Sequence, residues 1–187
     1  DSFSLKNFYE RRARRILPAL FFVTVVCMPF AWMWLAPSDL KDFGNSVASV
    51  GIFTSNIFFW SELGYFGPTA ELQPLLHTWS LAVEEQYYIL FPVFLMITWR
   101  LGLNWVLILL ATVFIISLGT AHWATTIASH PKMISGAFFL LPTRGWELLI
   151  GVFIAFYLKR FKFPKSFTFN QIVSLIGLGM ILFSFIY

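Results

Sequence analysis

Long uncharged apolar runs constrain this chain more than any other feature of its sequence. Residues 16–36 carry no charged side chain, and this run has the roughly 20 residues that an α-helix needs to cross a bilayer. Over the whole chain 58% of residues are hydrophobic and only 12% are charged, which is too apolar for an ordinary soluble domain. The sequence therefore predicts an all-α, polytopic transmembrane helix bundle and argues against a soluble helical bundle.

Successive apolar runs give the organisation of this bundle. We expect about five complete spans and a truncated sixth, at residues 16–36, 43–60, 79–99, 104–121, 138–158 and 171–187. Both chain ends are expected to be cut, since the chain does not begin with methionine and its last apolar run has no polar flank. The polar stretch at 61–76 is predicted to be a loop or a cavity lining, and the stretch at 122–136 is predicted to be a second loop.

Polar residues inside the second predicted span fall on one helical face. Asn45, Ser49 and Asn56 recur at helical spacing, so this face is expected to look into the bundle. The third predicted span contains several polar residues, whereas the fourth is almost purely apolar and is expected to face lipid.

The basic residues and the single cysteine exclude some functions and structural features. The net charge of +4 comes largely from clusters at 11–15 and 159–165, which are typical of juxtamembrane anchors and argue against nucleic-acid binding. The first cluster is expected to be cytoplasmic. Cys27 is the single cysteine, so no disulfide can form within the chain, and it is interpreted as a small apolar side chain.

Ionisable residues within the predicted spans are the candidates for chemistry, because charge at membrane depth is costly and is normally kept for a site. His77, Glu84 and Tyr88 would share one face if their helix begins near His77. Two alternatives stay open: a wet helix N-terminus for Glu84 and Glu85, and an ordinary loop position for His77. His122 and His130 are interpreted as loop residues, and their spacing predicts no metal site.

Two basic patterns suggest substrate contacts. Arg144 and Glu147 stand three residues apart and are expected to pair, either for stability alone or to orient a polar substrate in a cavity. Arg12 and Arg15 share one helical face, where they would hold phosphate oxygens or serve only as membrane anchors.

Four sequence blocks carry a resemblance to a known family. They occur in the order FYERRARRILPAL, PSDLKDFGNSVASVGIFTSNIFFW, LQPLLHTWSLAVEEQYYILFP and FFLLPTRGWELLIG. Together they resemble successive motifs of the acyltransferase 3 family, integral membrane O-acyltransferases that modify bacterial surface polysaccharides and lipopolysaccharide. The resemblance covers nearly the whole chain, so residues 1–187 are interpreted as part of one such transmembrane domain.

The resemblance implies a multi-pass protein of the bacterial inner membrane, surrounded by lipid, with no bound cofactor. It would transfer an acyl group from acyl-CoA, expected to be acetyl-CoA, to a carbohydrate hydroxyl. Arg12 and Arg15 would bind the donor. The remaining implied site residues are His77, Glu84 and Glu85 in supporting catalytic roles and Tyr88, Arg144 and Glu147 in substrate binding.

The family's proposed catalytic histidine lies in a motif that precedes FYERRARR, so the chain alone is expected to be inactive. Charge balance suggests a link to that motif. Glu84, Glu85 and Glu147 face one candidate cation, Arg144, and a buried carboxylate needs a partner or a proton. The expected partner of Glu84 or Glu85 is therefore a group upstream of this chain. The alternative function is a transporter or flippase for a lipid-linked sugar, in which the same polar residues would line a path.

Overall fold

The computed structural model describes residues 4–62, 72–128, 130–160 and 166–186, and these contain helices and no strand. Eight α-helices lie in this part of the chain: α1 Leu5–Trp34, α2 Pro37–Gly51, α3 Ser55–Glu62, α4 Thr78–Thr98, α5 Leu103–Thr126, α6 Pro131–Phe139, α7 Leu141–Arg160 and α8 Phe167–Ile186. A 3-10 turn, Trp99–Leu101, follows α4. The predicted all-α fold is confirmed.

Helix α1 begins earlier than the first predicted span. The Ser4 hydroxyl accepts a hydrogen bond from the Asn7 amide at the helix start, as an N-cap does. The helix then continues without a break through the arginine cluster and through Pro18 and Pro29. The arginines therefore lie on the same helix as the apolar run rather than in a segment before it.

The second predicted span, at 43–60, is wrong as a single helix. Residues 52–54 separate α2 from α3, and Phe53 has a φ of 55°, which lies outside the right-handed helical region. Ser49 and Asn56 are buried as predicted, but Asn45 is exposed. The break ends one helix and starts another, so spacing counted across it no longer defines one face.

The third and fourth predicted spans correspond to α4 and α5. Gly102 separates these helices with a φ of 89°, a conformation that glycine adopts without a steric cost. Helix α5 exposes apolar side chains such as Trp105, Ile108 and Ile115, in agreement with the predicted lipid-facing role.

The loop predicted at 122–136 is largely helical. Helix α5 runs on to Thr126, so His122 is a helical residue, and α6 begins at Pro131. The imidazole Nδ1 of His130 caps α6 by accepting a hydrogen bond from the Lys132 amide. An extended residue, Leu140, then separates α6 from α7, and Pro142 lies in the first turn of α7, where a proline is tolerated. Of the other predicted loop, residues 63–71 lie outside the described part.

The chain divides into two compact units, 1–148 and 149–187. In the first unit the core lies among α1, α2, α3 and α6, and its buried members are Ala31, Phe43, Val50, Phe59, Leu75 and Phe139. Cys27 packs against this core, which agrees with its interpretation as a small apolar residue. The second unit contains the rest of α7 and the helix α8, whose apolar side chains are exposed.

Five helical segments of the described chain are long and apolar enough to cross a membrane. They are Leu5–Trp34, Thr78–Leu101, Leu103–Thr126, Pro131–Arg160 and Phe167–Phe185. The run predicted as a truncated sixth span is thus among the five, whereas the predicted second span is not. A multi-pass membrane protein follows from these lengths and compositions.

Candidate functional site

The polar residues Glu84, Glu85 and Gln86 stand next to one another in the middle part of α4. Consecutive residues of an α-helix point about 100° apart, so these three side chains meet different neighbours. Glu85 contacts α1, Gln86 contacts α3, and Glu84 lines a cavity beside α7. One short segment of α4 therefore connects three parts of the first unit.

Glu85 forms an ion pair with Arg12 of α1, 73 residues away in sequence. The Arg12 Nε lies 2.8 Å from Oε1 and 3.1 Å from Oε2 of Glu85, and Arg12 Nη2 lies 2.8 Å from Oε1. The two side chains are only 17% and 9% exposed. The Nε of this guanidinium thus donates to both carboxylate oxygens while Nη2 lies in ion-pair contact with one of them, an arrangement that favours a fixed geometry.

Two tyrosines make further contacts between these parts of α1 and α4. The guanidinium carbon of Arg12 lies 3.1 Å from the centroid of the Tyr88 ring, a cation–π contact. One turn before Arg12, the Tyr9 hydroxyl donates to the carbonyl of Ile89 at 3.2 Å. The start of α1 is therefore attached to α4 at two levels. We call Arg12, Glu85 and Tyr88 the arginine clamp.

The clamp changes two expectations drawn from the sequence. At least one of Glu84 and Glu85 was expected to have a partner upstream of the chain. Glu85 pairs with Arg12 within the chain, and an upstream partner for Glu84 stays a prediction. Arg12 and Arg15 were expected to act together on one ligand, yet Arg12 is half-buried against Glu85, whereas Arg15 is exposed. Contact between Arg15 and a phosphate-bearing donor stays a prediction.

Glu84 lies on a different side of α4, where it lines a cavity of about 260 Å³. The walls come from α4 and α7 and consist of Trp79, Ser80, Val83, Glu84, Arg144, Glu147 and Leu148. Among the described residues, Glu84 makes no ion pair. Its carboxylate is exposed and is free to accept hydrogen bonds from a ligand. We call this space the Glu84 cavity.

Arg144 and Glu147 form the predicted pair at one wall of the cavity. Arg144 donates through Nε and Nη2 to both carboxylate oxygens of Glu147, at 2.8 to 3.2 Å. The guanidinium carbon also lies 5.0 Å from the Trp79 ring centroid and 5.4 Å from that of Phe138. The rings and the carboxylate together fix where Arg144 points.

Helix α5 holds the start of α7 in place. The Ser117 hydroxyl accepts a hydrogen bond from the Trp146 amide at 3.0 Å. A Cβ added to Gly145 would lie 3.5 Å from the same hydroxyl oxygen, so the two helices approach closely there. This contact lies in the same helical turn as Arg144 and Glu147.

An amide pair that sequence reasoning missed anchors α4 to α3 and α6. Gln86 Nε2 donates to Asn56 Oδ1 at 2.8 Å and to the Phe53 carbonyl at 3.0 Å. Asn56, which is 1% exposed, donates to the Phe139 carbonyl at 3.1 Å. The signal available in the sequence was two amides in apolar segments, since a buried amide needs a partner. Gln86 also satisfies the carbonyl of the strained residue Phe53.

His77 lies directly before α4, and its side chain is exposed. It is two helical turns before Glu84, and it is not among the residues that line the Glu84 cavity. Tyr88 lies one turn beyond Glu84 but contacts Arg12. His77, Glu84 and Tyr88, which were predicted to share one face, therefore have different surroundings and do not line one common cavity. A supporting role for His77 stays a prediction.

Comparison with known proteins adds a family match. The family model described as an acyltransferase domain matches residues 2–187. A protein of Haemophilus influenzae is 33% identical over 167 residues, which are 84% of this chain and 65% of that protein. No solved structure matches the chain significantly.

Two further relatives carry functional names. The peptidoglycan O-acetyltransferase OatA of Listeria monocytogenes is 33% identical over 160 residues, or 83% of this chain and 25% of the relative. The O-acetyltransferase OatA of Staphylococcus aureus is 32% identical over 177 residues, or 94% of this chain and 29% of the relative. The chain thus spans less than a third of the length of either OatA protein.

Proposed function

Because this chain belongs to the acyltransferase 3 family, we propose that it is part of a membrane enzyme that transfers an acyl group to a hydroxyl of a cell-envelope polysaccharide. The match over residues 2–187 carries this proposal, and the names of the OatA relatives support acetyl as the group and a cell-wall glycan as the acceptor. A lipopolysaccharide sugar is a second acceptor of the same chemistry. The location proposed is the bacterial inner membrane.

The proposed donor is acyl-CoA, with acetyl-CoA as its simplest form. The acceptor hydroxyl oxygen forms a bond to the thioester carbonyl carbon, and the carbon–sulfur bond breaks. The hydroxyl proton leaves with the CoA sulfur, so that the products are an ester and free thiol. Proton transfer in such a step needs a positioned acid or base.

In this proposal some of the described residues contact the acceptor, and others contact the donor or position the helix that binds it. Glu84 and the Arg144–Glu147 pair orient the acceptor, because they line a cavity that combines an unpaired carboxylate with an arginine. Arg15 contacts the donor phosphates, since it is exposed beside the arginine clamp. Arg12, Glu85 and Tyr88 position the helix that carries Arg15. His77 is proposed as a supporting residue at the exposed start of α4.

Glu84→Gln, made in the full-length enzyme of which this chain is proposed to be a part, tests the proposal in membranes that contain that enzyme. The measurement is transfer of radiolabelled acetyl from acetyl-CoA to polysaccharide. We expect a loss of about 100-fold, the size of effect that a misplaced reactant produces. Glu10→Gln is the matched control, because Glu10 is exposed, pairs only with Arg14 in the described structure and lies outside the cavity.

A wild-type rate in the Glu84→Gln variant contradicts the role of Glu84. Transport of a lipid-linked sugar without any acetyl transfer, in membranes where the wild-type protein is present and folded, contradicts the enzyme and favours a transporter.

A further inference from the structure

We infer that the Glu84 cavity binds one neutral sugar ring of the acceptor and does not bind the phosphate-bearing part of the acyl donor. The inference rests on the proposed function, since it divides the two substrates of that reaction between different faces of α4. Three properties of the cavity support it: its volume, its charge and the chemistry of its walls.

The volume suits a single ring. At about 260 Å³, the cavity is smaller than the roughly 300 to 1,000 Å³ of pockets that enclose drug-sized ligands. The nucleotide part of the proposed donor, acyl-CoA, is itself as large as such ligands, so the cavity is too small to enclose it. One monosaccharide unit of a polymer does fit, with the chain leaving through the open mouth.

The charge of the cavity disfavours a phosphate. Two carboxylates, Glu84 and Glu147, face one guanidinium, so the formal charge of the ionised lining is −1. Arg144 already directs Nε and Nη2 at Glu147, which leaves little of it to hold an anion. A phosphate placed here would meet Glu84, and like charges repel more strongly away from bulk water. A neutral hydroxyl instead donates a hydrogen bond to either carboxylate.

The walls differ in a way that matches a sugar ring. Trp79, Val83 and Leu148 provide apolar surface, whereas Glu84, Ser80 and Glu147 provide polar atoms. A sugar ring also has an apolar face and an edge of hydroxyl groups. Such pockets use a large apolar area for contact and a few polar groups for orientation.

The arginine clamp lies on another side of the same helix. Glu84 and Glu85 are neighbours in sequence and therefore point about 100° apart. The cationic surface proposed for the donor phosphates, near Arg15, thus lies at a different face of α4 from the cavity. The phosphate-bearing part of the donor and the acceptor ring would be held at these two faces, and the thioester arm of the donor would extend to the acceptor hydroxyl.

Substitutions in the apolar wall test the inference. Trp79→Leu removes the aromatic surface, and Ser80→Phe fills the cavity with a bulky ring. We expect each to raise the KM for a neutral chito-oligosaccharide acceptor at least tenfold, with the KM for acetyl-CoA changed less than twofold. Trp105→Leu is the matched control, because Trp105 is an exposed residue of α5 outside the cavity. Ser80→Phe covers the case in which Trp79→Leu fails to fold, since Trp79 packs on Phe138 and Phe139.

The outcomes separate the inference from the proposed function. A raised KM for acetyl-CoA with an unchanged acceptor KM overturns the inference, while continued transfer leaves the enzyme proposal standing. If the protein transfers no acetyl group, equilibrium binding of the radiolabelled oligosaccharide still decides the question. Binding that is lost in Ser80→Phe and kept in Trp105→Leu supports the sugar site, and equal binding in both variants overturns it.

Discussion

Two ion pairs in the first unit have the same chemistry and opposite surroundings. In both the arginine and the glutamate approach to 2.8 Å. The side chains of Arg12 and Glu85 are 17% and 9% exposed, whereas those of Arg144 and Glu147 are 27% and 41% exposed. The first pair is closed by Tyr88, and the second faces a cavity. We call Arg12–Glu85 the closed pair and Arg144–Glu147 the open pair. The closed pair joins α1 to α4, whereas the open pair is available to a ligand.

Removing one charge of the closed pair gives the largest expected effect on stability. Glu85→Gln leaves the guanidinium of Arg12 without its counter-ion in a largely buried place, which costs about 3 to 5 kcal/mol. Thermal unfolding of the purified protein in detergent measures this as a lower Tm. Glu10→Gln is again the control, and a Tm equal to that of the wild type would show that the clamp is not structural.

Removing both charges sharpens the same comparison. Arg12→Met combined with Glu85→Leu leaves no buried charge, and such replacements are often neutral for stability. We expect the double variant to recover most of the Tm lost in Glu85→Gln. A double variant as unstable as the single one would indicate that the ion pair itself, rather than an uncompensated charge, supplies the stability.

A smaller effect is expected from the aromatic part of the clamp. Tyr88→Leu removes the ring beneath Arg12 and should cost about 2 kcal/mol, the value for a desolvated cation–π contact. Tyr88→Phe keeps the ring and should unfold close to the wild-type temperature. Equal losses in the two variants would assign the contribution to the hydroxyl instead.

The smallest effect on stability is expected at the open pair. Glu147→Gln should cost about 1 kcal/mol or less, because a pair exposed to this extent is screened by water. Its rate of acetyl transfer should nevertheless fall at least tenfold, since the carboxylate that fixes Arg144 is lost. Measuring Tm and rate on the same preparation checks both parts. A large loss of Tm with an unchanged rate would reverse the assignments of the two pairs.

Features encoded within one helix were predictable from sequence. The apolar run at 79–99 agrees with α4 to within one residue at each end, and Arg144 and Glu147 pair as their spacing predicts. In both cases the deciding interactions lie within a few residues, where helical periodicity applies.

Features that join distant segments were not predictable from sequence. Arg12 and Glu85 are 73 residues apart, and a count of charges shows that Glu85 needs a partner without saying which. At the break between α2 and α3 the Gln86 amide donates to the carbonyl of Phe53, and local propensity does not contain that contact. The Glu84 cavity depends on how α4 and α7 meet, which no single segment encodes.

The three consecutive polar residues of α4 make this helix sensitive to changes in length. One residue inserted between Ser80 and Glu84 would rotate the rest of the helix by about 100° and shift it by about 1.5 Å. Glu84 would then leave the cavity, Glu85 would leave Arg12, and Gln86 would leave Asn56. A substitution removes one of these contacts, whereas an insertion or deletion removes all three together. We therefore expect α4 to accept changes at its lipid-facing positions far more readily than a change in its number of residues.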